Sequence, residues 1–337
     1  MMMKRNRLLT GTSWRILLLL VFSSIILTSC FIEDIPVPPH QPGEAIQVQL
    51  EESMYTNQVY FDFSRDSVVF VCPNNYYQLA FESWSSGWRI RLNTADNLKI
   101  CATNSFSMTE LTSIPADAVW SYDSSDGDPD STAIGNWVDT SASVYTGRVY
   151  LLGRFNGINY AVVKKMSFIS VDETHYSMLV ANLDGSAEHT YDIPKDVNQD
   201  YVFFDVINGL VLTQPARSDW DMVFTSYSTT LYTDLGEPTP YNVRGIFINE
   251  SQVTAALDSV YTFDEIDFTY IDSLDFSSRR DVIGHDWKYY NGEDYVVRPG
   301  INFILKDDEG YYYKFRFINY HNSMDEAGYP GFEMQRL

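Results

Sequence analysis

Few side chains in this 337-residue sequence are of types that do chemistry, and their spacing narrows what they can do. Histidine occurs five times, at His40, His175, His189, His285 and His321, never in the His-Glu-x-x-His pattern of a zinc helix. There is no Gly-x-Ser-x-Gly elbow and no glycine-rich phosphate loop, so the chain reads as a binding or structural protein and not as an enzyme. One histidine stands out: His285 follows Gly284, sits beside Asp286 and precedes Trp287 and the pair Tyr289-Tyr290. A turn imidazole next to a carboxylate titrates near neutrality or ligates a metal. Asp123, Asp126, Asp128 and Asp130 around Gly127 present the oxygens Ca²⁺ prefers. They lack EF-hand spacing and a distal bidentate Glu, so a solvated hairpin loop is expected. Cys72 and Cys101 either form a disulfide, worth about 3 kcal/mol in the loop-entropy account, or remain two buried thiols. In Trp220-Asp221-Met222-Val223-Phe224, alternation places Trp220, Met222 and Phe224 together on a core face.

The elements that must carry these residues read as strands. In Tyr311-Tyr312-Tyr313-Lys314-Phe315-Arg316-Phe317 the odd positions form an aromatic face, and Tyr312, Lys314 and Arg316 form the other. Trp88, Ile90 and Leu92 alternate with Arg89 and Arg91 in the same way. Aromatic residues make up 15 % of the chain, with 24 Tyr and 20 Phe, which favours half-buried pleated surfaces. Only Glu250 to Leu257, with Asn249 as cap, suggests a short helix. With 45 acidic and 23 basic side chains the net charge is −22, which repels the phosphates of nucleic acid.

The amino terminus sets the compartment. Lys4, Arg5 and Arg7 precede an uncharged apolar run from Ile16 to Leu27, shorter than the roughly 20 residues of a membrane span. The run ends in Leu27-Thr28-Ser29-Cys30, which resembles a bacterial lipobox, so Cys30 is the expected lipidation site and anchors the chain in a bilayer through acyl groups such as palmitate. Residues 1–29 are then the signal peptide, and 30–56, with Pro36, Pro38, Pro39 and Pro42, a proline-rich tether. Beyond it the same landmarks occur twice. Asn57-Gln58-Val59-Tyr60 answers Asn198-Gln199-Asp200-Tyr201, and Ile134-Gly135-Asn136-Trp137 answers Ile283-Gly284-His285-Asp286-Trp287. Lys165-Met166-Ser167-Phe168 likewise answers Lys314-Phe315-Arg316-Phe317, at nearly the same distance from its tryptophan. A tandem duplication follows, with repeats at 57–195 and 196–337 and a boundary near Pro194 to Asp196. The expected fold is all-β: two tandem antiparallel sandwich-like repeats.

The second repeat carries a resemblance. Its Trp220–Phe224 and Ile283–Trp287 motifs, Tyr295-Val296-Val297-Arg298, Gly310–Phe317 and Tyr329-Pro330-Gly331-Phe332-Glu333 resemble the HmuY-like lipoproteins of Bacteroidetes-type bacteria. The first repeat is similar to a two-repeat branch of that family. The resemblance implies an outer-membrane lipoprotein, at the cell surface or periplasmic face, that binds haem and passes it to a TonB-dependent receptor. The family's best-known member grips iron with two histidines flanking the tryptophan motif. Here the matching stretches, Thr262 to Asp275 and Lys288 to Gly292, contain no His or Met. The resemblance therefore leaves His285, Tyr289, Tyr290 and Tyr270 as candidate haem ligands. The alternative is a surface lipoprotein that keeps the fold for structure, protein contacts or glycan binding through exposed Trp and Tyr.

Overall fold

The structure, a computed structural model, describes residues 42–155 and 158–337, which belong to one compact unit, Gln41–Leu337. The signal peptide, Cys30 and the first part of the tether lie outside the described residues. Among the described residues no helix is long and apolar enough to cross a membrane.

The fold is all-β: the described residues build four larger antiparallel sheets and two short two-stranded ones, Lys288–Tyr290 with Tyr295–Val297 and Val138–Asp139 with Val144–Tyr145. Sheet I holds Ile46–Gln49, Ala327–Arg336, Tyr312–His321, Asn302–Lys306 and Thr254–Asp258 in spatial order. Sheet II holds Pro238–Ile248, Met222–Tyr232, Asn57–Asp62 and Ser67–Pro73. Sheet III holds Leu210–Leu212, Tyr201–Asp205, Leu79–Glu82 and Ile90–Leu92. Sheet IV holds His189–Pro194, His175–Ala181, Tyr160–Val171, Val149–Phe155 and Leu98–Ala102.

Period-two burial assembles these sheets into two sandwiches. Tyr313, Phe315 and Phe317 from sheet I meet Val59, Phe61, Met222 and Phe224 from sheet II in one core, where Trp287 is also buried. Met166, Phe168 and Tyr176 from sheet IV meet Leu79, Phe81, Val202 and Phe204 from sheet III in the other, closed by Trp137. The two tryptophan landmarks are thus core plugs, one per sandwich.

Several expectations change. The hairpin Asn57–Pro73 does not close the first sandwich: it pairs with Met222–Tyr232, with Phe61 opposite Met222 and Val59 opposite Phe224. Reciprocally, Tyr201–Asp205 pairs with Leu79–Glu82, with Val202 opposite Phe81. Residues 194–196 therefore divide the sequence but not the sandwiches, because the opening hairpin on each side of that boundary hydrogen-bonds to an edge supplied by the other side. The tether is shorter than 30–56: Ile46–Gln49 is the edge strand of sheet I, and Leu50 and Met54 are buried in its core. Glu250 to Leu257 is a turn leading into the strand Thr254–Asp258, since Ala255 and Ala256 are needed against Leu305 and Ile304 in a ladder. Trp220 leaves the Met222 and Phe224 face and packs with Tyr60 and Val223 on the other side of sheet II.

Cys72 and Cys101 are buried, free thiols and not a disulfide, because they sit in separate clusters on different sandwiches. Burial pushes the Cys72 thiol up to about 12, which keeps it protonated and unreactive.

Candidate functional site

Gly284 opens the turn that carries His285. Its φ of +64° suits glycine, and it exchanges hydrogen bonds with the edge strand of sheet II: Ile246 N–H donates to Gly284 O at 2.9 Å, and Gly284 N–H donates to Ile246 O at 3.2 Å. Gly245 makes this approach possible, since a Cβ there would stand 2.5 Å from the Gly284 carbonyl oxygen. The turn brings His285 Nδ1 to 3.2 Å from the Tyr227 hydroxyl. Nε2 faces Asp286, 3.5 Å away on a side chain open to solvent. Partial burial lowers the imidazole's pKa against the pull of Asp286, which favours the neutral ring.

The next residues divide by role. Lys288 is buried, donates from Nζ to Arg244 O at 2.5 Å, and lies 4.3 Å from the Trp287 ring centre and 5.0 Å from that of Tyr320. Burial, followed by the Arg244 charge, pushes its ammonium down to about 7. Tyr289 and Tyr290 point outward on the short strand Lys288–Tyr290, at 40 % and 57 % exposure. The Arg298 guanidinium lies 5.1 Å over the Tyr289 ring. His321 pairs with Asp294 at 2.9 Å. Tyr270 does not join this group. Its hydroxyl donates to Asp258 Oδ1 at 2.9 Å and its ring packs 4.5 Å from Tyr261, beside the far edge strand of sheet I. His285, Tyr289 and Tyr290 thus share one turn and hairpin, while Tyr270 is committed elsewhere as a structural hydrogen-bond donor.

A second feature went unseen in the sequence. The faces of sheets II and III that turn away from their own cores enclose a cavity of about 550 Å³. Its walls take Gln58 and Thr225 from sheet II and Glu82 and Tyr201 from sheet III, residues far apart in the sequence that leave no local motif. Arg91 donates to Glu250 Oε1 at 2.7 Å across the cavity, and the Tyr201 hydroxyl reaches the same oxygen at 3.4 Å. The acidic loop is solvated at its tip, where Asp128 and Asp130 are exposed, but its flanks serve this junction. Asp123 is buried and accepts the N–H groups of Leu92 and Ala133, Gly127 O accepts from Arg91 at 2.8 Å, and Asp126 O accepts the Arg280 N–H at 3.0 Å. Among the described residues no group of three or more His, Cys, Asp and Glu is placed to hold a metal ion.

Comparison with known proteins places part of this architecture. The family described as HmuY protein matches residues 197–334, which include the His285 turn, Trp287 and the strands of sheet I that follow. Over these residues the chain is HmuY-like. No curated protein matches it. Among solved structures, the chain is similar to apo PinO from Porphyromonas gingivitis, at 10 % identity over 88 % of this chain and 98 % of that one, with a TM-score of 0.28. It is also similar to the apo HmuY analogue TFO of Tannerella forsythia, at 10 % identity over 88 % and 98 %, TM-score 0.25. A third similarity is to an HmuY-like protein of Bacteroides vulgatus, at 13 % identity over 51 % and 90 %, TM-score 0.18. At these identities the details of the His285 turn rest on this chain's own residues.

Proposed function

We propose that the chain is a lipid-tethered binding protein that captures haem or a related porphyrin as cargo through its HmuY-like part and hands it to a TonB-dependent receptor. The HmuY match over residues 197–334 supports the ligand class. The observation that carries the reading to a site is the 3.2 Å contact between Tyr227 and His285 Nδ1. In the tautomer with Nδ1 protonated, the Tyr227 oxygen accepts that proton and Nε2 keeps its lone pair, the arrangement in which an imidazole binds a metal while its second nitrogen is held. The lowered pKa of His285 favours that neutral form. Haem would supply an iron that takes one imidazole, and Arg298 beside Tyr289 would pair with a propionate carboxylate. Tyr289 and Tyr290 offer ring faces for the macrocycle.

Haemin titration into the compact unit Gln41–Leu337, followed at the Soret band, tests the site. A saturable red-shifted band is expected, lost in His285→Ala and shifted in Tyr227→Phe. A band indifferent to both substitutions would move the ligand to a tyrosine or to stacking alone, and a spectrum equal to that of free haemin would end the porphyrin reading. The anchor is tested separately in the full chain: labelled palmitate should enter the parent protein and not Cys30→Ser, and protease treatment of intact cells then reports which side of the outer membrane it faces.

A further inference from the structure

The cavity between sheets II and III has a chemistry unlike that of the His285 turn. Gln58 is only 4 % exposed, lines the cavity, and its Nε2 has no hydrogen-bond partner. A buried amide donor left unmatched costs about 1–3 kcal/mol, so an acceptor group placed beside Gln58 Nε2 would be favoured. Glu250 supplies the complementary group: its Oε1 is taken by Arg91, while its buried Oε2 makes no hydrogen bond and Arg280 Nε stays 3.8 Å away.

The arginines of the cavity already face carboxylates. Arg91 and Arg280 face Glu250, Arg217 lies 2.8 Å from Asp200, and Arg89 lies 4.0 Å from Glu82 and, outside the cavity lining, 2.9 Å from Asp130. A carboxylate or phosphate ligand would have to break these pairs, which selects for a neutral occupant. Iron is disfavoured as well. The lining contains no His, Met or Cys, and burial raises the pKa of the Tyr60 and Tyr201 hydroxyls, which opposes the phenolate form an iron would need. Two indole rings also line the space: Trp84, 36 % exposed and edge-on to Tyr201 at 6.2 Å, and Trp220, edge-on to Tyr60 at 5.0 Å.

We propose that this cavity is a second ligand site, and that it takes a neutral carbohydrate of one or two rings. A sugar hydroxyl donates and accepts at once, so adjacent hydroxyls satisfy both the Gln58 donor and the Glu250 acceptor without net charge. The C–H face of a pyranose ring packs on indole, which accounts for Trp84 and Trp220. The volume falls within the roughly 300–1,000 Å³ of small-molecule sites. The site is independent of porphyrin capture at His285.

The test titrates cellobiose, lactose and maltose into the compact unit Gln41–Leu337, reading heat and tryptophan fluorescence. At least one sugar should give a saturable signal that Gln58→Leu weakens about tenfold or more, while the thermal midpoint of that variant holds or rises because an unmatched donor has gone. Trp84→Ala, at a partly exposed position, should weaken the same sugar and remove part of the fluorescence change. His285→Ala should leave sugar binding intact, so that a failed porphyrin reading remains distinguishable. The proposal is overturned if none of the three sugars binds the folded protein. It is equally overturned if binding survives undiminished in both Gln58→Leu and Trp84→Ala, or if Gln58→Leu abolishes the haemin Soret shift, which would make the cavity the porphyrin site.

Discussion

Lys165 and Lys314 do the same work in the two sandwiches. Lys165 Nζ donates to Met108 O at 2.6 Å and Leu111 O at 2.8 Å, and Lys314 Nζ donates to Phe263 O at 2.6 Å and Ile266 O at 2.8 Å. In each case the ammonium is buried on the outer face of a central strand and gathers two carbonyls three residues apart in the long segment that crosses over it; Lys165 donates to a third as well, Leu183 O at 3.1 Å. That face of Tyr312–His321 is therefore covered at Lys314, while Arg316 and Ile318 farther along it stay partly exposed. The loop carbonyls have no ladder to join, and a buried carbonyl without a donor is expensive.

Replacing either lysine should consequently destabilise far more than a surface change. Lys314→Met and Lys165→Met are each expected to lose about 3 kcal/mol in urea denaturation, through the orphaned carbonyls. Lys306→Met, at an exposed position, should fall within about 0.5 kcal/mol of the parent. Equal stability in all three variants would show that the carbonyls find other donors.

Arg91 and Glu250 join the two sandwiches through a largely buried ion pair at 2.7 Å. Removing one partner leaves the other charged in a poorly solvated cavity, so Arg91→Met should cost about 3 kcal/mol. The double variant with Glu250→Gln should recover part of that loss. Strict additivity in this cycle would mean that the pair is not coupled across the junction.

Asp221 carries a pH dependence of defined sign. Burial, helped by the nearby Asp62 and Asp307 charges and opposed by the Phe63 N–H that its Oδ2 accepts at 2.7 Å, raises its carboxyl to about 7. The folded state thus holds a proton that the unfolded chain releases near 3.8, so this group's contribution to stability falls as pH rises from about 4 to about 7. Asp221→Asn should match the parent at pH 4 and exceed it at pH 8 by roughly 2–4 kcal/mol. A parent-minus-variant stability difference that stays flat across this window would place the carboxyl at an ordinary pKa.

Gly245→Ala tests the scaffold of the His285 turn. The added methyl would press on the Gly284 carbonyl and on the Tyr227 ring, the two groups that position the imidazole. A loss of about 2 kcal/mol is expected from overpacking, together with a weakened haemin Soret shift. Unchanged haemin affinity at reduced stability would separate the turn from the ligand site.

Local pattern fixed what depends on neighbours along the chain. Period-two alternation in Tyr313, Phe315 and Phe317 recorded a buried strand face, because each residue's side of the sheet follows from its parity alone. Trp137 and Trp287, each followed by a short hairpin, could be read as equivalent landmarks for the same reason. The tertiary structure alone decided which edges meet: that Phe61 lies opposite Met222 and Val202 opposite Phe81, that Lys314 is roofed by Phe263 and Ile266, and that Gln58 and Glu250 face one cavity. It also placed Tyr227 beside His285, sent Tyr270 to Asp258 and kept Cys72 away from Cys101. Strand pairing between distant segments is chosen by backbone hydrogen bonding and by how whole faces pack, and neither leaves an imprint on the few residues around any one position.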